Sequence, residues 1–138
     1  MFNKTSTIMK NFTLTVFFFL SFVFSAAAQQ TPSTPALDQA SSNLTRVMMQ
    51  NMGLNEDEYI KLKALNQERL SKATEADKLY ADDQEQRDVR LREIEDEFEV
   101  KLFNMLNTRQ VTAYAEFKQK PEANYLAIVQ QLKASPKK

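Results

Sequence analysis

Histidine, cysteine and tryptophan are absent from this chain, and glycine occurs once, at Gly53. Without His, the commonest general base and the commonest transition-metal ligand are both missing. Without Cys, no disulfide scaffold holds the fold. Acid–base chemistry would then fall to carboxylates or lysines with shifted pKa values, and the charge pattern places these groups on solvated helical faces. No calcium-loop pattern with its glycine occurs. The sequence therefore predicts no catalytic, cofactor-binding or metal-ligating residues. Gly and Pro are scarce and no alternation of apolar and polar residues persists, so no strand is predicted and the fold class is all-α.

Phenylalanine is also unevenly spread. Seven of the ten Phe residues lie in the first 24 positions. Lys4 and Lys10 precede an apolar run from Phe12 to Phe24, and Ala26-Ala27-Ala28 follows it. A basic segment, an apolar segment and small residues in that order predict a cleaved export signal over 1–28, with an apolar run short of the roughly 20 residues of a membrane span. No Cys follows the apolar run, which excludes a lipid anchor. The expected mature chain, 29–138, loses two of the 18 basic residues and none of the 18 acidic ones, leaving a slight acidic excess. That balance is not a nucleic-acid binder's.

The mature chain divides into a polar, proline-containing leader over 29–35, a helical domain over 36–134, and a basic tail over 135–138. In the first helix Leu37, Ala40, Leu44, Val47 or Met48, and Met52 share one stripe, and Gly53 stands where a helix ends in the left-handed conformation. Leu54-Asn55-Glu56-Asp57-Glu58 follows, and the same arrangement returns at Leu106-Asn107-Thr108-Arg109-Gln110. Asn accepts a hydrogen bond at a helix start, and Glu or Gln three residues on reaches back to the cap's own N–H. Each copy is a helix-start signal, opening helices at Glu56 and Thr108.

The second helix runs from Glu56 to about Ala81 with Tyr59, Leu62, Leu65, Leu70, Ala73, Ala76 and Tyr80 on its stripe. An unbroken helix from there to Leu106 would run roughly 75 Å, so Asp82 with Glu85, or Asp83 with Gln86, is expected to cap a new helix after a turn near 82. The third helix, about Gln84 to Leu106, carries Leu91, Ile94, Phe98, Leu102 and Met105. Asp57–Lys61, Glu68–Lys72, Asp83–Arg87, Asp88–Arg92 and Glu97–Lys101 are spaced as ion pairs within one helix. A fourth helix runs to about Lys120, and a segment from Ala123 to Leu132 resumes the spacing after Pro121.

The two boxes resemble the Leu-Thr-x-x-Gln motif of the Spy/CpxP family of periplasmic proteins, with Asn in place of Thr at both caps and Glu in place of Gln in the first copy. The resemblance covers roughly residues 37–120. It implies an elongated, bent helical hairpin of about four to five helices that pairs into a cradle-like homodimer. It also implies an exported, periplasmic, ATP-independent holding chaperone or envelope-stress protein that binds unfolded or partner polypeptides, with no stable membrane insertion once the signal is cleaved. The alternative within that resemblance is a regulator docking on the periplasmic domain of a sensor kinase. Met48, Met49 and Met52 offer soft, adaptable side chains for varied polypeptides. Met48 and Met52 also fit the core stripe, which leaves Met49 the better contact residue. Arg87, Arg90 and Arg92 are candidates for acidic client segments, or equally a solvated face.

If Asn107 caps the fourth helix, Asn107→Ala costs about 1 kcal/mol of stability. Thermal unfolding of the variant and the parent measures it; coincident curves would place the helix boundary elsewhere.

Overall fold

A computed structural model describes residues 33–135, so the expected export signal, most of the expected leader and Pro136 to Lys138 lie outside the described residues. The chain forms α1 (Pro35–Met52), α2 (Glu56–Leu79), α3 (Gln84–Phe103), α4 (Thr108–Phe117), a 3-10 turn over Pro121–Ala123, and α5 (Tyr125–Ala134). No strand occurs among the described residues.

Both duplicated boxes form as hydrogen-bonded pairs. Asn55 Oδ1 accepts from the Glu58 N–H at 2.9 Å while the Asn55 N–H donates to Glu58 Oε2 at 2.8 Å. Asn107 Oδ1 accepts from the Gln110 N–H at 2.9 Å while the Asn107 N–H donates to Gln110 Oε1 at 3.0 Å. Gly53 ends α1 with φ 65° and ψ 45°. The Met49 carbonyl accepts from both Gly53 and Leu54 N–H groups, at 2.9 and 3.2 Å, and so the last turn is closed as the chain reverses. Leu54 is buried in the core by that reversal.

The expected turn lies at Tyr80–Asp83, where Asp83 Oδ1 accepts from the Gln86 N–H at 3.1 Å; of the two pairs considered, the second caps α3. Several boundaries shift, among them the end of α4, which stops at Phe117 rather than about Lys120, and the end of α5, which reaches Ala134 rather than Leu132. Thr34 and Pro35, assigned to the leader, begin α1: Thr34 Oγ1 accepts from the Leu37 N–H at 3.2 Å and Pro35 occupies the first turn, where its missing N–H costs nothing. α2 stops at Leu79 rather than Ala81, and α3 at Phe103 rather than Leu106, because Asn104 and Met105 tighten into a turn before the second box. Pro121 starts a 3-10 turn that delays α5 to Tyr125.

α2 is the central element, with α1, α3 and α5 packed on it and α4 packed on α1. α3 returns antiparallel to α2: Lys72 meets Glu97 at 2.7 Å and Glu68 meets Lys101 at 2.8 Å, so partners descend on one helix as they ascend on the other. α5 instead runs parallel to α2, its Tyr125 over Arg69 and its Lys133 on Asp77. The core is filled by Leu44, Met48 and Met52 of α1, Leu62, Leu70 and Ala73 of α2, Phe98 and Leu102 of α3, Tyr114 and Phe117 of α4, and Val129 of α5.

Of the five pairs expected within single helices, Glu68–Lys72 forms, at 2.8 Å. Lys101 is drawn across to Glu68, Lys72 also to Glu97, and Arg87 toward Asp77 at 3.9 Å. Once two helices lie side by side, a carboxylate on the neighbour competes with one four residues away on the same helix. Glu68 illustrates the balance: partial burial alone would raise its pKa, and Lys101 and Lys72 outweigh this and lower it.

Gly53 tests the reversal directly. A Cβ there would sit 3.6 Å from Arg109 Nη2, an ordinary contact, so the cost of Gly53→Ala lies in the left-handed backbone and not in a clash. We expect a loss of about 1–2 kcal/mol for Ala and a smaller loss for Asn, which tolerates that conformation better. Urea unfolding of the two variants measures the difference.

Candidate functional site

Two polar constructions stand inside this helical frame. The first joins the duplicated boxes. Gln110 Nε2 donates to both oxygens of Glu58, at 3.2 and 3.0 Å, while the Glu58 carboxylate also caps its own helix. Glu58 thus lies between the N-termini of α2 and α4, and both helix ends carry partial positive charge that a carboxylate complements. Gln110 is buried and its amide is saturated by these bonds. Of the six box residues, Leu54 is buried, Leu106 is half-buried against the core, and Asn55, Glu58, Asn107 and Gln110 make the bonds described. Their role is to fix where two helices begin and how they meet.

The second construction is centred on Arg69, on the inward face of α2 and only 6 % exposed. Its guanidinium carbon lies 4.2 Å from the ring centroid of Phe98 on α3 and 3.8 Å from that of Tyr125 on α5. The two aromatic faces replace part of the water a cation gives up on burial. Arg69 Nη2 lies between the oxygens of Glu95: it donates to Oε1 at 2.9 Å, and sits 2.6 Å from Oε2 but off the hydrogen-bonding direction. Arg69 Nε and Glu95 Oε2 are therefore buried without a hydrogen-bond partner within the described residues, although the second keeps its ionic contact. Burial raises the Glu95 pKa by more than the charge and hydrogen bond of Arg69 lower it.

Around this pair, Tyr114 O–H donates to Glu99 at 3.1 Å, and Lys118 Nζ bonds the same carboxylate. Burial raises the pKa of Tyr114 and of Tyr125, which keeps both phenols neutral. A cavity of about 210 Å³ opens here, walled by Arg69, Glu95, Tyr114, Phe117, Lys118 and the Ala123–Leu126 segment. A second, of about 270 Å³, lies between α3 and the far half of α5, with Asp77, Arg87, Lys133 and Val129 among its walls. Leu126 lines both.

The six side chains expected to contact polypeptides are not gathered into one surface. Met48 and Met52 are buried in the core, as their helical spacing allows, and so cannot meet a client from this state. Met49 is half-buried against that core. Arg87 faces Asp77, Arg90 Nη1 bonds Glu93 at 2.9 Å, and Arg92 Nε donates to the Asp88 carbonyl at 3.4 Å. Arg69, Glu95, Tyr114, Lys118 and Tyr125, which form the cavity, are residues that sequence reasoning passed over. One signal was present: Asn66, Arg69 and Asp77 are polar residues in phase with the buried stripe of α2.

Among the described residues no cluster of acids that could hold a metal ion occurs, and no helix is long and apolar enough to cross a membrane. Comparison with protein-family models, with curated proteins and with solved structures gives no match to this chain.

The Glu95 carboxyl supplies a pH test. Burial holds its folded pKa above the ordinary carboxylate value, so the folded state takes up a proton more readily than the unfolded one. Its contribution to stability is then fully present below the unfolded pKa and lost as pH rises through the raised value. Urea midpoints of the parent and of Glu95→Gln, measured from about pH 4.5 to about pH 6.5, are expected to show the parent losing ground to the variant as pH rises. A constant difference would mean that burial and Arg69 cancel.

Proposed function

We propose that this chain is an exported, Spy/CpxP-like helical protein that holds unfolded or partner polypeptides without ATP, and that it pairs into a homodimer to do so. The observation that carries the reading is the pair of Leu-Asn-x-x-Glu/Gln boxes, each fully formed and joined to the other through Glu58 and Gln110. A duplicated motif whose two copies meet is a unit of architecture, which accidental helix caps would not produce.

Holding a polypeptide needs no covalent chemistry. It needs apolar contact area dispersed among charges, so that clients adhere while the holder stays soluble. Ile60 and Val100 are more than half exposed, at 61 % and 63 %, and Val89, Phe103 and Leu79 are exposed as well. On α3 these apolar residues alternate with Glu93, Asp96 and Lys101, also at the surface. Such a surface offers many weak contacts to an extended segment and no single deep site.

The test is light scattering from two unrelated unfolded clients, diluted from denaturant with and without the purified mature chain and in the absence of ATP. Suppression of both near one dimer per client is the expected outcome. Suppression of neither would overturn the holding reading and direct the search to one specific envelope partner, as a sensor-docking regulator requires.

A further inference from the structure

α5 is attached to α2 through a single stripe of side chains. Tyr125 lies over Arg69, Val129 is buried in the same core cluster as Ala73, and Lys133 Nζ bonds Asp77 at 2.7 Å. Steps of four on α5 thus match steps of four on α2. Outside that stripe the helix is thinly covered for one so apolar: Leu126 is exposed, Ile128 and Leu132 are half-buried, and Lys133 is its one charged residue.

The seat is wider than its occupant. α5 packs on α2 and α1, while the two cavities remain beside it, walled by Glu95 and Tyr114 at one end and by Arg87 and Leu91 at the other. Unfilled walls forfeit dispersion contacts that a bulkier segment would recover. α5 is also only ten residues long, and it joins α4 through the exposed residues 118–122, which include the turn opened by Pro121. A short helix with few buried contacts belongs to the part of a fold that opens locally at least cost. Its departure would leave Arg69 without the Tyr125 ring and Asp77 without Lys133. The vacated seat therefore favours a segment that returns those same groups.

We propose that α5 is a displaceable occupant of a polypeptide-binding seat on α2, and that the seat takes a helical segment of another polypeptide with an aromatic residue, an apolar residue four on, and a basic residue four further on. This rests on the polypeptide-holding reading and gives it one defined site, in addition to the weak contacts on α3. The incoming ring stacks on the Arg69 guanidinium, the apolar side chain re-enters the core at the level of Ala73, and the cation answers Asp77. An acidic residue in the last position would face Asp77 and be rejected. While α5 is seated the site is closed, so apparent affinity is reduced by the fraction of molecules in which α5 has left.

The experiment is fluorescence anisotropy of an N-terminally labelled peptide copying residues 121–135, titrated with the full mature protein. Each of two substitutions is made once in the protein and once in the peptide: Val129→Ala, which weakens the core contact, and Lys133→Gln, at an exposed position where folding is not at stake. Made in the protein, either change loosens α5 and is expected to tighten binding of the unchanged peptide at least about threefold. Made in the peptide, the same change is expected to weaken binding to the unchanged protein at least about threefold. The opposite signs are what competition for one seat requires. Variant proteins that bind the unchanged peptide no more tightly than the parent does would overturn the proposal, as would shifts of the same sign in protein and peptide. Opposite shifts without protection of either unfolded client from aggregation would sink the holding reading and leave the seat standing; protection without those shifts would do the reverse.

Discussion

A guanidinium cannot enter the interior of a small helical protein unless something replaces its water, and here the replacement comes from two neighbouring helices, α3 and α5. The rings of Phe98 of α3 and Tyr125 of α5 lie against the Arg69 guanidinium, and Glu95 of α3 accepts a hydrogen bond from it. Cutting any one of those contacts would leave a buried cation short of a partner, which is far costlier than losing a surface ion pair. The position of α5 follows from this. It is short, joined to α4 through a proline-containing turn, and attached to α2 at Arg69, Val129 and Asp77. The same arrangement leaves the first turn of α5 uncapped and facing the cavity.

Polar groups on α2 also decide how the other elements meet it. Asn66 donates to Thr45 Oγ1 at 3.0 Å and lies 3.4 Å from Met48 Sδ, which ties α1 to α2 inside the apolar interface. Asp77 is reached by Lys133 from α5 at 2.7 Å and by Arg87 from α3 at 3.9 Å. An all-apolar stripe would let neighbouring helices slide or rotate with little penalty. Buried polar groups with particular partners penalise such shifts, because a displaced helix leaves an unsatisfied group behind.

The local signals were legible because they are local. A cap, its reciprocal bond and a left-handed glycine all act within a few residues, so spacing alone places Asn55, Asn107 and Gly53, while it leaves Asp82 and Asp83 as alternatives that the fold decides for Asp83. The all-α class and the α2–α3 hairpin followed from the same signals. What spacing could not give was partnership across the fold. Lys101 chooses Glu68 over Glu97, and Arg69 reads as one more charged residue on a charged helix, until the crossing of α2 with α3 and α5 sets which side chains face each other. Periodicity counts apolar residues, so Asn66, Arg69 and Asp77 add nothing to that count even though they stand in phase with the buried stripe. The cavity was beyond reach for the same reason, since its walls come from α2, α3, α4 and α5.

The bond between Glu58 and Gln110 spans 52 positions of sequence. α1 with α2, and α2 with α3, are neighbours along the chain and can zip up from their own turns, whereas this bond must wait for a large loop to close. In a chain that folds from its N-terminus, Glu58 has only the Asn55 N–H of its own box to hold until the second box is present. The fold therefore carries its own checkpoint: the two helix starts come together only once α1, α2 and α3 are all present and α4 has begun.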